Sequence, residues 1–369
     1  MSRAVEARAV PVEPVDRRAR IRERLVAEDL GALLVLSRAN VRYLSGFTGS
    51  AGVLVVDAEG GDLLVTDGRY DAQARAEASE GVGVEIASDP ALEVARRRLR
   101  DRGVERVAFE SEHLSVAALE EWREAGGHEP TGVKGWIEAL RSVKADPEIE
   151  AIRRAAAVVD AVFEDVLDSI RPGIAERELA AEVDRLLARQ GSEGRAFETI
   201  VAFGSRSALP HARPGARTLE SGEVVLLDFG AVVDGYHSDL TRTVACGEPG
   251  KAVRELHAVV RRAQGAALEG LRPGMTGPEA DALARDVLEE AGHAERFPHS
   301  LGHGLGLEVH EAPRLSRKSE DRLESGMVVT VEPGIYEPGR AGIRIEDDVL
   351  LTPDGALRLT RASRDMKIL

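Results

Sequence analysis

The carboxyl-terminal part of the chain is written twice. Ile170-Arg171-Pro172-Gly173-Ile174, with an amphipathic stretch to Gly191, returns as Leu271-Arg272-Pro273-Gly274-Met275 with a similar stretch to Gly292. Further along, Leu219-Glu220-Ser221-Gly222 leads through an apolar run to Asp228, and Leu323-Glu324-Ser325-Gly326 leads through another to Glu332. A second acid follows in each copy, Asp239 and then Glu346. Such a repeat predicts two half-domains about a pseudo-twofold, with carboxylates converging from both.

The 369 residues are enough for two domains. With 64 acidic against 49 basic side chains, a formal charge of −15 argues against nucleic acid or an anionic membrane as partner. Cys246 is the sole cysteine, so an intrachain disulfide, a zinc finger and a CxxC redox site are excluded. The amino terminus shows no apolar signal-peptide core, and runs such as Ala32 to Leu36 are too short to span a bilayer. A soluble, cytoplasmic protein is the expectation.

Residues 1–15, with Pro11 and Pro14 among charged and small residues, read as a flexible tail. Asp16 to Leu30 has helical apolar spacing, and short β-rich runs lie at Ala32–Leu36, Gly52–Val56, Leu63–Thr66 and Arg106–Phe109. Charged helical segments around Arg69–Ala78 and Leu92–Arg102 complete an α/β domain over residues 16–145. Asp146-Pro147-Glu148 reads as an aspartate N-cap, a first-turn proline and an acid, which starts a second domain over 146–369. There the repeated helix, Pro-Gly turn, helix and strands predict an α+β fold, with two helix pairs outside a curved, mainly antiparallel sheet and the acids on its inner face.

Asp228 ends Val224-Val225-Leu226-Leu227 and Glu332 ends Val328-Val329-Thr330-Val331, so each acid leaves a strand that belongs in a core. Two like charges about 4 Å apart repel by roughly 4 kcal/mol at an effective dielectric near 20, so grouped carboxylates take up protons unless cations neutralise them. Asp228, Asp239, Glu332 and Glu346 with His303 form a hard donor set that favours two manganese ions, with cobalt or zinc as alternatives. Ions about 3.5–4 Å apart activate water and polarise a carbonyl oxygen, which is hydrolytic chemistry. Taken singly, each acid has a plainer reading. Asp228 could cap a turn, Asp239 could pair with Arg242, and Glu346 with Arg344. The repeat counts against so many separate accidents.

His299, His303 and His310 lie in one segment and His211 precedes the first acid strand. A neutral imidazole can ligate a metal, move protons or donate to an oxyanion, although each ring could equally be a satisfied core or loop histidine. Gly302 to Gly306 lacks both dinucleotide spacing and a following lysine, serine rather than glutamate follows His299, and Ser205 and Ser207 lack a nucleophile elbow.

With these residues in view, the chain resembles the pita-bread metallopeptidases, the group of aminopeptidase P, prolidase and methionine aminopeptidase. Asp228, Asp239, His303, Glu332 and Glu346 match the family's five ligand positions: an eleven-residue step between the aspartates, Gly-His-Gly, Glu-Pro-Gly and Arg-Ile-Glu. The segment from Asn40 to Gly49 resembles the creatinase-type amino-terminal domain, which points to the Xaa-Pro branch. Creatinase shares the fold without the ligands.

The resemblance implies hydrolysis of the bond between an amino-terminal residue and a following proline in proline-containing peptides. Asp239 and Glu346 would bridge two ions, Asp228 would hold one, and His303 and Glu332 the other. Glu332 would also carry the proton, His211 and His310 would bind substrate and stabilise the tetrahedral intermediate, and His299, Tyr336 and Arg344 would surround the proline. An Xaa-Pro aminopeptidase is the main expectation and prolidase the alternative. A homodimer or larger homo-oligomer is implied. The competing class is a non-catalytic pita-bread binding module, which usually loses ligands.

Overall fold

A computed structural model of the chain describes residues 14–369. The tail expected over residues 1–15 lies outside the described residues as far as residue 13. Pro14 already belongs to helix α1 (Pro14–Ala27), in the first turn, where its missing N–H costs no hydrogen bond. The chain forms two compact units that divide between Arg141 and Ser142.

The first unit runs α1, β1 (Ala32–Val35), α2 (Arg38–Ser45), β2 (Val53–Asp57), β3 (Asp62–Asp67), α3 (Asp71–Glu77), β4 (Val82–Ala87), α4 (Ala91–Asp101), β5 (Arg106–Glu110), α5 (Val116–Ala125), β6 (Glu129–Val133) and α6 (Trp136–Ser142). Its six strands lie in the order β4-β3-β2-β1-β5-β6. Central β1 and β2 are buried along their whole length, which is why they read as continuous apolar runs. Edge strands β4 and β6 are half-exposed and carry little apolar signal, and the sequence reading passed over both.

The second unit contains α7 (Asp146–Val166), α8 (Glu176–Arg189), β7 (Ile200–Phe203), β8 (Glu223–Phe229), β9 (Val232–Val233), β10 (Tyr236–His237), β11 (Leu240–Cys246), α9 (Lys251–Gly270) and α10 (Gly277–Glu290). It continues with β12 (Gly302–Gly304), β13 (Glu311–Leu315), β14 (Val328–Val331), β15 (Gly334–Glu337), β16 (Ala341–Arg344), β17 (Asp347–Thr352) and β18 (Gly355–Arg358). Asp146 is the first helical residue of α7 rather than its cap. Ala145 is the N-cap, and its N–H donates to Glu148 Oε2 at 2.8 Å.

The repeat is a backbone fact. Gly173 N–H donates to Leu219 O at 2.8 Å and Gly274 N–H to Leu323 O at 2.7 Å. Both glycines have positive φ, 89° and 92°, where a side chain would be strained. The strands form two antiparallel sheets, β11-β8-β7 and β13-β12-β14-β17-β18, rather than one continuous sheet. In each half a two-stranded hairpin, β9–β10 or β15–β16, separates the first acid from the second. The helices bury matching faces, Val159, Phe163 and Val183 against Leu227 and Val244 in one half, and Val260, Ala284 and Leu288 against Val329 and Val349 in the other.

Candidate metal centre

Asp228 lies in β8, paired across the sheet with Thr241 on β11 and Ile200 on β7. Asp239 immediately precedes β11, Glu332 immediately follows β14, and Glu346 stands between β16 and β17. His303 is the middle residue of β12. Ligand atoms of Asp239, His303 and Glu346 come within 4.8 Å of one another, and all three residues are buried. His303 Nε2 is 3.9 Å from Asp239 Oδ2 and 3.4 Å from Glu332 Oε1. Asp228 turns to Arg344, whose Nη2 donates to its Oδ2.

The plainer pairings considered for these acids do not form. Arg242 pairs with Asp347, not Asp239, and Arg344 pairs with Asp228, not Glu346. Thr241 and Asp348 went unnoticed in the sequence. Thr241 Oγ1 donates to Glu346 Oε2 at 2.5 Å and receives Arg344 Nε at 2.9 Å, so one hydroxyl joins an acid of the second half to the arginine that holds an acid of the first. Asp239 N–H donates to both carboxylate oxygens of Asp348 at 3.2 Å. Strand alternation was the available signal, since Thr241 shares a face with Asp239, and Asp348 with Glu346.

Burial is the main reason that the Asp239 and Glu346 carboxyls are pushed well above their usual range, with repulsion from the neighbouring acids adding to it. Glu332 rises to about 7 through burial, partly offset by Arg344. His303 falls to about 3, chiefly by burial. Its Nδ1–H donates to the carbonyl oxygen of Gly304 at 2.9 Å, which keeps the ring proton on Nδ1 and leaves the Nε2 lone pair facing the acids. Oδ1 of Asp228 and Oδ1 of Asp239 are buried without a hydrogen-bond partner. Orphaned carboxylate oxygens beside a bare imidazole nitrogen fit divalent cations, with four oxygen donors and one nitrogen suited to a hard ion.

A cavity of about 850 Å³ opens over this group, with His211, His299, His310, Arg314 and Arg344 in its wall. His310 packs edge-on against His303 with ring centres 4.4 Å apart. Tyr336 does not line the cavity but stands behind it, its hydroxyl 2.8 Å from His299 Nε2 and receiving Arg344 Nη1 at 2.8 Å. His299 is lowered to about 3 by burial and then by Arg344. Arg314, also missed in the sequence, pairs in register with His303, and its guanidinium makes no ion pair within 4 Å among the described residues, although its charge helps to lower Glu332. No helix among the described residues is long and apolar enough to cross a membrane.

Comparison with known proteins adds an independent line. Metallopeptidase family M24 matches residues 150–353, and the creatinase/prolidase N-terminal domain matches residues 17–143. An Xaa-Pro dipeptidase of Pyrococcus furiosus is 38% identical over 336 residues, covering 90% of this chain and 94% of its own. Among solved structures, an Xaa-Pro dipeptidase from Bacillus anthracis superposes with a TM-score of 0.94 at 39% identity, over 97% of this chain and 100% of that one. An X-Pro aminopeptidase from Thermotoga maritima superposes at 0.87 with 38% identity, over 95% of this chain and 100% of that one.

Proposed function

Because the chain belongs to metallopeptidase family M24, and is therefore a metal-dependent peptidase, we propose that it is an Xaa-Pro dipeptidase, a prolidase, rather than the aminopeptidase first expected from its motifs. Arg314 carries this preference: a cation with no carboxylate in ion-pair contact among the described residues, on the wall of the cavity beside His303. A dipeptide ends in a free carboxylate one residue beyond the scissile bond, and a guanidinium is suited to receive it. An aminopeptidase acting on longer chains has no such requirement. The likeness to the Thermotoga maritima X-Pro aminopeptidase keeps that activity as the second reading.

Asp228, Asp239, His303, Glu332 and Glu346 would hold two divalent ions, for which the oxygen-rich donors favour manganese over cobalt or zinc. Ions bound there supply Lewis-acid polarisation and lower the pKa of water. Around them the protein positions and shuttles protons. Glu332 Oε1 receives Thr330 Oγ1 at 3.1 Å, which leaves Oε2 to carry a proton to the proline nitrogen as it departs. His211 and His310, exposed on the cavity wall, would donate to the oxygen that gains charge as the carbonyl becomes tetrahedral. His299 and Arg344, braced by Tyr336, would form the rigid wall against which the proline ring sits. With this reading we place a creatinase-type domain over 16–145, the catalytic domain over 146–369, a homo-oligomer that binds neither nucleic acid nor membrane, and a cytoplasmic location, in keeping with one buried cysteine and the acidic balance.

Three substrates test the assignment on manganese-loaded protein: an Xaa-Pro dipeptide, its carboxyl-terminal amide and an Xaa-Pro-Xaa tripeptide. The dipeptide should exceed both others in kcat/KM by about a hundredfold, in line with losing a charge-assisted contact worth roughly 1.5–3 kcal/mol. Arg314→Gln should bring the three substrates close together. Equal or better turnover of the tripeptide by the wild-type protein would return the assignment to aminopeptidase.

A further inference from the structure

The segment between α6 and α7 buries a lysine. Lys144 N–H donates to Gly326 O at 2.9 Å and Val143 bridges to Met327, which seats the segment at the start of β14. From there Lys144 Nζ reaches Ser142 O at 3.2 Å and Glu311 Oε2 at 3.2 Å. The two side chains are 1% and 6% exposed, so neither charge is shared with solvent.

Glu311 opens β13, pairs in register with Gly304, and directly follows His310. The connection between β12 and β13 closes around its carboxylate. Glu308 N–H donates to Oε1 at 3.0 Å, and a Cβ on Gly306 would lie 2.6 Å from Oε2. The loop is fixed at its other end by His237, whose N–H donates to Gly306 O at 2.8 Å. His310 is the last residue of that loop.

We propose that Lys144 is a positioning residue for turnover: by holding the Glu311 carboxylate it sets where His310 presents its imidazole to the cavity. This rests on the reading of His310 as a group that contacts the reacting substrate. A buried ion pair by itself is weak evidence for stability, and replacement by neutral groups of similar volume is often tolerated. That makes a role in placement separable from a role in holding the fold.

A double-mutant cycle tests it, using manganese-loaded protein and an Xaa-Pro dipeptide. Lys144→Met takes away the ammonium 3.2 Å from a buried carboxylate, so Lys144→Met/Glu311→Gln, which removes both charges of the pair, is made beside it in case the single variant does not fold. In the wild-type background the neutral pair should lower kcat about tenfold, a coupling of ordinary size for groups in one network, with KM within about twofold and metal content unchanged. In a His310→Ala background the same change should alter kcat less than about twofold. Lys144→Arg should recover most of the loss.

Histidine-labelled NMR of the metal-free protein gives a second readout. The imidazole signal absent from His310→Ala should shift in the neutral-pair variant, while those of His113 and His293 stay in place. An equal fall of kcat in both backgrounds, no fall in the wild-type background, or an unmoved His310 signal would overturn the proposal. Full turnover by His310→Ala alone would instead refute the catalytic reading of that histidine, and the NMR shift would still report whether Lys144 places it.

Discussion

The two halves of the second unit present the same face to the cavity and opposite chemistry behind it. Counting 101 residues between Ile170 and Leu271, buried positions of α7 and α9 correspond: Ala155 with Leu256, Val159 with Val260, Val162 with Ala263, and Val166 with Ala267. Two correspondences change character. Ala156 becomes His257 and Phe163 becomes Gln264. Counted from the second acid of each half, Leu240 becomes Asp347. The residue after Asp239 therefore packs into hydrocarbon, Leu240 and Phe163 lying in one cluster. Behind Glu346 the protein is polar, with Gln264 Nε2 donating to Asp347 Oδ2 at 2.8 Å and Thr360 Oγ1 to Asp347 Oδ1 at 2.7 Å.

Arg242 resolves the difference. It stands on β11 of the first half, yet Nη2 donates to Asp347 Oδ1 at 2.7 Å and to Ala362 O at 2.9 Å, and Nη1 donates to Glu346 O. An apolar backing fills space but is indifferent to small sliding, whereas a forked guanidinium fixes angle and register. The halves repeat a scaffold, and the polar back of the second tells the first where to stop, so that Asp239 and Glu346 face each other. Arg242 thus matches the buried charge of Asp347 behind the site, while Asp239 and Glu346 in the site pair with no arginine or lysine among the described residues.

The largest effect should come from breaking the feature the halves share. Asp239→Ala and Glu346→Ala should each lose bound manganese by elemental analysis and lose dipeptide turnover by well beyond the ~10–100-fold that outer-shell partners cost. The two should be equally severe. Full activity in either would mean that the acids of the two halves do not form one site.

Next in size is the feature that only the second half has. Arg242→Met leaves Asp347 buried with only the more distant Arg358, 3.8 Å from its Oδ1 and 29% exposed, which should cost toward the lower end of about 3–5 kcal/mol in denaturant unfolding. Adding Asp347→Leu and Gln264→Phe converts that backing to the kind found in the first half, and should return much of the stability, because a buried pair often exchanges for apolar groups at little cost. Turnover should stay depressed, since the guanidinium clamp of Arg242 on Glu346 O would be gone and only Thr241 and the Asp239–Asp348 contact would hold Glu346 against Asp239. Recovery of both would show that the polar backing serves stability alone.

How much of this was legible follows the same division. The repeat could be read because its turns need glycine at positive φ, as at Gly173 and Gly274, and because acids ending apolar strands stand out against a core pattern. Ligand positions are set along one strand at a time. The backing was not legible, because it depends on which strands become neighbours: Arg242 and Asp347 are 105 apart in sequence, and Arg242 seemed as ready to pair with Asp239. Arg344 was read as a proline-side residue, but nothing local showed that its guanidinium would reach Asp228. Half-exposed β4 and the Pro130-bearing edge strand β6 gave too little apolar alternation to be read at all.

The smallest expected effect separates the halves by pH. His257 occupies the place that Ala156 fills in the first half, and burial, then Arg261, holds its imidazole down at about 4. In the unfolded chain the same group titrates near about 6.5. Above that value both states carry neutral imidazole and stability does not respond to it. Between about 6.5 and about 4 the unfolded chain binds a proton that the folded one refuses, so stability falls as pH falls, by up to about 1.4 kcal/mol per unit. The loss, on the order of 3 kcal/mol in all, is complete below the folded value. His257→Ala gives the second half the residue of the first, and the cavity it leaves shifts stability by a constant without adding a titration. Denaturant unfolding of metal-free protein at several pH values between 7 and 4 should therefore show wild type and variant running parallel near neutrality and converging in acid. Curves parallel throughout would mean that His257 takes up its proton equally in both states, and the contrast between the two helix pairs would then be one of shape alone.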